Sequence, residues 1–406
     1  MADTQTQTKT QGFLQEADQF SAHNYKPLPV IIERGEGVWM WDVEGNRFLD
    51  MLSAYSALNQ GHRHPAILDA AREQMEKLTL TSRAFHNDQM GVFLRELCEL
   101  TGYDKALPMN TGAEAVETAI KMVRKWGYRT RAVAQDQAEI IVCHNNFHGR
   151  TTTIVGFSSE AQYREGFGPF TPGFKLVPYG DIEAFEAALT ENTVGFLVEP
   201  IQGEGGVVVP PEGYLADTAA LCRDRGVAFM ADEIQTGLGR TGRLFCCEWE
   251  DVRPDVLIVG KALGGGVYPV SAAIADDEFM AVFRPGDHGS TFGGNPLGAA
   301  VARASLRVIV EERLSERSAE LGAWFMDELR AIESPHVEEV RGRGLMIGVV
   351  IRESSGPARP FCEALQARGI LAKETHEQVI RFAPPLVIGR EVLEEALDPI
   401  REILRR

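Results

Sequence analysis

Two short stretches of the sequence each place a charged residue directly after an apolar run. The run Val256–Val259 leads into Lys261 through a single glycine, and the run 227–231 leads directly into Asp232. Such apolar, β-branched runs are typical of strands that are buried on both faces of a parallel sheet. Since ligands bind beyond the carboxyl ends of these strands, we predict that Lys261 and Asp232 face one site. A lysine that forms a Schiff base and a carboxylate that faces a pyridinium nitrogen are the groups that a pyridoxal phosphate site requires.

This cofactor hypothesis depends on further residues, because an isolated lysine after a strand is usually a solvated loop charge. Thr111, followed three residues later by Glu114, is a capping box, so a helix begins here. Gly112 at that start lets a bound group approach the backbone, where free N–H groups and the helix dipole favour an anion. A capped helix start is by itself weak evidence for a phosphate site, since most capped helices bind no ligand. Gln235, one turn beyond Asp232, could hydrogen-bond the phenolic oxygen of the cofactor.

Three charged residues could bind substrate carboxylates at the same edge of the sheet. Arg150 follows a third predicted strand and could hold a carboxylate with its bidentate guanidinium, while nearby Phe147 could stack on the pyridine ring. Glu204 lies in a glycine-rich loop after a fourth strand, and Arg381 lies in a strand near the carboxyl terminus. Each arginine alone is more often a surface charge or a structural ion pair. Two arginines and a glutamate together with Lys261 favour a binding site.

The elements that must position these residues alternate between strands and helices. This β–α alternation predicts an α/β fold with a mainly parallel sheet and helices on both faces. Strands are predicted at residues 140–143, 194–198, 227–231 and 256–259, and helices between them at residues 182–190 and 214–225.

The length of 406 residues predicts two domains. Residues 1–59 are expected to form an amino-terminal segment, whose hairpin turns at residues 44–46 and packs with the small domain. Residues 60–299 are expected to form the large, cofactor-binding domain, in which the pattern from residue 65 to residue 100 is helical. Residues 300–406 are expected to form a small α+β domain, into which a long helix after Asn295 leads.

Charge and hydropathy exclude two classes of partner. The net charge of -17 at pH 7 argues against a nucleic-acid-binding surface, which needs a basic patch. No run approaches the roughly 20 apolar residues that a membrane span needs, and residues 1–15 show neither a secretory nor an organellar targeting pattern. We therefore expect a cytoplasmic protein with no nucleic-acid or membrane partner.

The cysteines and histidines do not show the spacing of metal ligands. The six cysteines are expected to be reduced thiols. His62 and His64 invite a metal interpretation, but no carboxylate or cysteine stands at ligand spacing from them. Hydrogen-bonded structural histidines are therefore favoured, and we predict no metal site.

Three stretches resemble the class III, or ω-, aminotransferases of PLP fold type I: ADEIQTG at residues 231–237, GKAL at 260–263 and HGSTFGGNP at 288–296. The resemblance covers residues 24–388. It implies a large domain with a mainly parallel, seven-stranded sheet and a smaller α+β domain. It also implies that Lys261 is the Schiff-base lysine and Asp232 the partner of the pyridinium nitrogen. The predicted cofactor-binding residues are Gly112, Ala113, Phe147, Asp232, Gln235, Lys261 and Thr291.

Within this family the chain is similar to the ornithine-type members. Thr291 matches the threonine that reaches the phosphate of the neighbouring subunit's cofactor, which implies a homodimer with shared active sites and leaves a higher oligomer open. The stretch 53–60 is the better discriminator of substrate, because acetylornithine-type relatives usually lack its tyrosine, Tyr55. The segment 147–150 cannot decide, since its His148 replaces a tryptophan of some ornithine-type enzymes. The predicted substrate-binding residues are Tyr25, Tyr55, Arg150, Glu204 and Arg381.

The two expected substrates, ornithine and 2-oxoglutarate, place opposite demands on Arg381. A free Arg381 would bind the α-carboxylate of ornithine and bring the wrong amine to the cofactor. Glu204 can occupy Arg381 in the first half-reaction, while Tyr25 and Arg150 hold the remote carboxylate. The second substrate must then supply its own carboxylate to Arg381, with Arg150 taking the distal one.

Other functions remain open at the level of sequence. Acetylornithine, 4-aminobutyrate or another ω-amine could be the donor. Racemisation or an aminomutase reaction could use the same cofactor, and a non-catalytic binding protein could share the fold. Lys261 and Asp232 together argue against the non-catalytic alternative. Arginine breakdown and proline supply are both compatible with an ornithine substrate.

Overall fold

The computed structural model describes residues 8–406, so the first seven residues of the stretch assessed for targeting signals lie outside the described residues. The strands of the described chain are β1 (Ile32–Glu36), β2 (Trp39–Asp42), β3 (Arg47–Asp50), β4 (Lys105–Met109), β5 (Glu139–Cys143), β6 (Phe174–Val177), β7 (Thr193–Val198), β8 (Ala228–Asp232), β9 (Val256–Val259), β10 (Ser271–Ala275), β11 (Val337–Arg343), β12 (Met346–Ile351), β13 (Ile370–Leu371), β14 (Lys373–Thr375) and β15 (Val379–Phe382).

The helices pack around these strands. They are α1 (Lys9–Phe20), α2 (Ser53–Ser56), α3 (Pro65–Met75), α4 (Met90–Thr101), α5 (Gly112–Thr130), α6 (Thr152–Gly156), α7 (Ala161–Arg164), α8 (Ile182–Ala188), α9 (Tyr214–Arg225), α10 (Asp277–Met280), α11 (Pro296–Glu311), α12 (Leu314–Arg330), α13 (Arg359–Gln366) and α14 (Arg390–Arg405). Short 3-10 helices span Cys246–Glu250, Lys261–Gly264 and Glu353–Ser355.

Strands β4 to β10 form one seven-stranded sheet in the order β4-β10-β9-β8-β7-β5-β6. β10 runs antiparallel to both of its neighbours, and the remaining pairs are parallel. Buried residues of β7 alternate between the two faces, because successive side chains of a strand point in opposite directions. Leu197 packs in the same cluster as residues of α5, and Phe196 and Val198 pack with residues of α9. The predicted α/β fold with a mainly parallel sheet is confirmed.

Two smaller sheets complete the fold. One has the order β1-β2-β3-β13 and the other the order β11-β12-β15-β14. β2 and β3 form the predicted hairpin, and β3 pairs in parallel with β13, Leu49 opposite Ile370. The amino-terminal hairpin therefore shares a sheet with the carboxyl-terminal part of the chain. The domain boundaries at residues 59 and 299 stay a prediction.

The stretch from residue 65 to residue 100, whose pattern predicted helical structure, is helical only in part. It contains two helices, α3 and α4, with irregular chain between them. Ser82 in this interval has a φ of 53°, a left-handed conformation that a right-handed helix does not accommodate. The Asn87 side chain then accepts the backbone N–H groups of Gln89 and Met90, immediately before and at the first residue of α4.

Both histidines that invited a metal interpretation form hydrogen bonds to carboxylates. His62 Nε2 lies 2.7 Å from Asp50 Oδ2, and His64 Nε2 lies 2.9 Å from Glu312 Oε1. These contacts confirm hydrogen-bonded structural histidines. Within residues 8–406, no group of three or more histidine, cysteine, aspartate or glutamate residues could hold a metal ion. Among the helices of that same range, none is long and apolar enough to cross a membrane.

Candidate active site

A small cavity of 190 Å³ lies where β5, β7, β8 and β9 end. The carboxyl ends of these four strands meet at one edge of the sheet, because the strands run parallel. The cavity brings together six of the seven residues predicted to bind the cofactor. The seventh, Thr291, is exposed and does not line the cavity. The lining residues are Gly112, Ala113, Phe147, His148, Gly149, Glu199, Ile201, Asp232, Ile234, Gln235, Thr236 and Lys261.

Lys261 enters this cavity from the residue that follows β9 and Gly260. Its backbone is left-handed, with a φ of 44°, a conformation that costs a non-glycine residue about 1–3 kcal/mol. Burial lowers the pKa of the Lys261 ammonium, and the carboxylates of Glu204 and Asp232 oppose this shift. A lowered pKa increases the fraction of neutral amine, which is the form of lysine that can accept a proton.

Asp232 is the buried last residue of β8, and its carboxylate has two partners. Oδ1 accepts the backbone N–H of Ile234 at 3.1 Å, and Oδ2 lies 2.7 Å from Nδ1 of His148. Burial lowers the pKa of His148, but the hydrogen bond and the charge of Asp232 outweigh burial and raise it. The two bonds fix the Asp232 carboxylate at the wall of the cavity, where a partner of the pyridinium nitrogen must lie.

Glu199 is a second buried acid in the cavity, and it was not among the predicted site residues. Its Oε1 accepts the backbone N–H of Phe147 at 2.7 Å. Burial raises the pKa of Glu199 to about 7, with His148 acting in the opposite direction. The sequence placed Glu199 after a strand, at the same edge as Asp232, but it contained no sign that the side chain would be fully enclosed.

The first turn of α5 fits the phosphate of the expected cofactor. The predicted capping box is present, since Thr111 Oγ1 accepts the N–H of Glu114 and the Glu114 carboxylate accepts the N–H of Thr111. The N–H groups of this turn have no helical acceptor and lie at the positive end of the dipole. A Cβ at Gly112 would meet Ile234 Cδ1 at 3.0 Å, so glycine keeps this wall free. With Lys261 and Asp232 in the same cavity, the residues present fit pyridoxal phosphate.

A larger cavity of 580 Å³ holds three residues of the predicted substrate set: Tyr25, Tyr55 and Glu204. Tyr25 is 75% exposed at its rim. Tyr55 stands on α2, which is a left-handed turn, with φ values of 47° at Ala54 and 62° at Tyr55. Its ring centroid lies 4.8 Å from Cζ of Arg381.

Two buried groups hold the left-handed turn of α2 in place. Asp50 Oδ1 accepts the N–H groups of Leu52 at 2.9 Å and Ser53 at 2.7 Å. Arg240 is fully buried and donates to Ser53 Oγ at 2.9 Å and to Asn59 Oδ1 at 2.6 Å. These bonds oppose the roughly 1–2 kcal/mol per residue by which L-amino acids disfavour left-handed helix. Together they fix the position of the turn that carries Tyr55.

Glu204, which lines the larger cavity, forms an ion pair with Arg381. Arg381 Nη1 donates to Glu204 Oε1 at 2.6 Å, and Arg381 is 1% exposed. Gln235 lies beside this pair, since its Nε2 donates to Glu204 Oε1 at 3.1 Å. Burial raises the pKa of Glu204, but Arg381 and Lys261 outweigh it and lower that pKa to about 2. Glu204 is therefore ionised and occupies Arg381.

Arg150 contacts aromatic rings. Its Cζ lies 3.9 Å from the ring centroid of Tyr163 and 5.6 Å from that of Phe147. No carboxylate among residues 8–406 forms an ion pair with it. Tyr163 was not predicted, because it lies thirteen positions beyond Arg150 on a four-residue helix without a recognisable motif.

The chain is similar to known proteins along nearly its whole length. A family model described as aminotransferase class-III matches residues 20–404. The chain is 57% identical over 397 residues to an ornithine aminotransferase of Brevibacillus brevis, a match that covers 98% of this chain and 99% of that protein.

Solved structures are similar along the same length. The ornithine aminotransferase of Toxoplasma gondii, with PLP at partial occupancy in its active site, superposes with a TM-score of 0.97 at 45% identity, over 98% of this chain and 95% of that one. An acetylornithine aminotransferase of Elizabethkingia anophelis superposes with a TM-score of 0.89 at 48% identity, over 98% and 99% of the two chains.

Proposed function

Since this chain belongs to the class-III aminotransferases, we propose that it transfers the δ-amino group of L-ornithine to 2-oxoglutarate. Ornithine becomes L-glutamate 5-semialdehyde, and 2-oxoglutarate becomes L-glutamate, in two successive half-reactions. The chain is a pyridoxal 5′-phosphate-dependent transaminase of fold type I. The observation that carries the choice of amine is the ion pair between Glu204 and Arg381.

This ion pair determines which of the two amino groups of ornithine reacts. Arg381 is the buried cation nearest to Glu204, and a free guanidinium would bind the α-carboxylate of any amino acid. That binding would bring the α-amino group to Lys261. With Glu204 on Arg381, the α-carboxylate of ornithine must bind elsewhere, and its distal δ-amino group reaches Lys261.

The remote carboxylate of ornithine is assigned to Tyr25, Tyr55 and Arg150. Tyr25 and Tyr55 line the larger cavity together with Glu204. Arg150 has no carboxylate partner within the described chain, so its guanidinium is free for a substrate. When 2-oxoglutarate binds, its α-carboxylate displaces Glu204 from Arg381 and its distal carboxylate takes Arg150.

The residues of the small cavity support the chemistry of the cofactor. Gly112 and Ala113 would hold its phosphate, Phe147 its ring, and Asp232 its ring nitrogen, with Gln235 close to the ring's oxygen side. When bound, pyridoxal phosphate supplies an electron sink for the carbon that loses a proton. Lys261 would carry the proton from that substrate carbon to the carbon of the cofactor that bears the transferred nitrogen, a role that its lowered pKa favours.

The same proposal includes assembly and location. Thr291 is exposed, as is its neighbour Phe292 at 47%, and both would be covered in a homodimer in which Thr291 reaches the partner's cofactor. Cytoplasmic location, a role in arginine breakdown or proline supply, and the domain boundaries stated above belong to this proposal as well.

Turnover with three donors tests the proposed substrate. The holoenzyme is given ornithine, N-acetylornithine or 4-aminobutyrate with 2-oxoglutarate, and kcat/KM is measured for each. We expect ornithine to give the highest value and to produce glutamate 5-semialdehyde. The similarity to the acetylornithine enzyme makes acetylornithine the second candidate. A higher kcat/KM for any other donor contradicts the proposal.

A further inference from the structure

The guanidinium of Arg150 is placed by aromatic side chains. Tyr163 covers it at 3.9 Å, and Phe147 lies at 5.6 Å. The Phe147 and Tyr163 rings meet edge to face, with centroids 6.2 Å apart and an interplanar angle of 81°. Phe147 is in turn fixed by its N–H bond to buried Glu199. Arg150 is thus connected through two rings to the wall of the small cavity.

Tyr163 lines two cavities. It lines the 580 Å³ cavity together with Tyr55 and Glu204, and it also lines a second cavity of 410 Å³ together with Glu160 and His376. The ring is therefore a shared wall. Its helix is short, but the preceding turn is held by the bond from Asn145 N–H to Ser159 Oγ at 2.7 Å.

We propose that Tyr163 is a positioning residue that holds Arg150 toward the larger cavity and so selects substrates with a remote carboxylate. This inference rests on the proposed function, in which Arg150 binds that carboxylate. An unpaired arginine samples many rotamers, and a substrate must immobilise it on binding. A guanidinium already stacked on a ring presents its edge, with its N–H donors, to the carboxylate, so less freedom is lost.

The size of the effect follows from the strength of a cation–π contact. At an accessible site this contact changes an affinity by about two- to fivefold, and by more when water is excluded. The ring face of Tyr163 lies over Arg150, and the Tyr163 hydroxyl also interacts with that side chain. Phenylalanine keeps the ring and loses only the hydroxyl, so it should retain most of the contact, whereas leucine should not.

Kinetics of holoenzyme variants with a matched substrate pair test the proposal. 1,4-Diaminobutane is ornithine without the carboxylate, so the ratio of kcat/KM for ornithine to that for 1,4-diaminobutane isolates the carboxylate contact. Tyr163→Leu should lower this ratio about two- to fivefold through an increase in KM for ornithine. Tyr163→Phe should keep the ratio close to that of the wild type. An equal fall for both substrates, or the same fall in Tyr163→Phe, overturns the proposal.

Binding of a non-reacting dicarboxylate gives an independent measurement. The Kd of glutarate for the holoenzyme should rise about two- to fivefold in Tyr163→Leu and stay near the wild-type value in Tyr163→Phe. An unchanged Kd in Tyr163→Leu overturns the proposal. Arg150→Ala separates the two levels of inference. If this variant leaves ornithine kcat/KM unchanged, the proposed role of Arg150 fails, whereas loss in Arg150→Ala without loss in Tyr163→Leu refutes only the role of Tyr163.

Discussion

Replacement of Glu204 by alanine is expected to redirect the enzyme from the distal to the α-amino group of its substrates. Glu204 Oε1 lies 2.6 Å from Arg381 Nη1, and the guanidinium is almost completely buried. Without Glu204, the α-carboxylate of an incoming amino acid becomes the natural partner of Arg381. The α-amino group is then expected to lie beside Lys261.

The magnitude follows from the energy of this one contact. A hydrogen bond between charged groups contributes about 1.5–3 kcal/mol, and removing one partner of a fully buried pair costs about 3–5 kcal/mol. Glu204 lines the open 580 Å³ cavity, so water can reach the vacated position and the lower range applies. Because 1.4 kcal/mol corresponds to a factor of ten, selectivity for ornithine over glutamate should fall about 10- to 100-fold.

The assay compares ornithine and glutamate as amino donors in the absence of a 2-oxo acid acceptor. The absorbance change of the bound cofactor is followed after mixing the holoenzyme with ornithine or with glutamate, and the ratio of the two apparent second-order rate constants is taken. Glu160→Ala is the matched control, since Glu160 pairs with His376 at 3.7 Å beside the neighbouring cavity and does not contact Arg381. An unchanged ratio in Glu204→Ala, or the same change in Glu160→Ala, would refute the reasoning.

Three further outcomes are expected. Lys261→Ala should lower kcat about 10³-fold or more, because the proton at the reacting carbon loses its acceptor; a kcat within tenfold of wild type contradicts this role. Glu199 in the folded chain has a pKa of about 7 against a reference value of 4.5, so it disfavours folding by about 3 kcal/mol once the pH exceeds 7. The free energy of unfolding of Glu199→Gln, measured with urea on the cofactor-free protein, should therefore rise relative to wild type between about pH 5 and pH 8. A difference between the two free energies that stays constant over this pH range would exclude the linkage. Thr291→Ala should weaken cofactor affinity about tenfold or more, as loss of a charged hydrogen bond does; unchanged cofactor retention on dialysis argues against a shared site.

The positions of Lys261 and Asp232 could be predicted from sequence because they depend on the topology of the sheet. Lys261 and Asp232 each follow an apolar strand, and parallel strands bring their carboxyl ends to one edge whatever the side chains do. The capping box at Thr111 was equally accessible, since its two hydrogen bonds join residues three apart. Each of these features depends on local sequence and on one general property of α/β sheets.

Other parts of the site depend on contacts that local sequence does not encode. The bond between His148 and Asp232 joins residues from different strand ends and needs a particular side-chain rotamer. The contact between the Tyr163 ring and Arg150 likewise joins residues that are apart in sequence and depends on their rotamers. The left-handed turn at Ser53–Ser56 contains none of the glycine, asparagine or aspartate residues that usually mark such a conformation. It is imposed by Asp50 and Arg240, and the latter comes from a distant loop.

The parallel pairing of β3 with β13 has a consequence for the order in which the chain can become active on the ribosome. The partner of Leu49, Ile370, lies 321 positions further along the chain and is made later (370 − 49 = 321). At about 5–20 residues per second, the amino-terminal hairpin must wait many seconds for the strand that completes its sheet. Leu371 and Ala372, on and just after β13, line the same cavity as Tyr55. A nascent chain can therefore assemble much of the parallel sheet while its substrate pocket is still unfinished, and chains released early should be unable to bind ornithine.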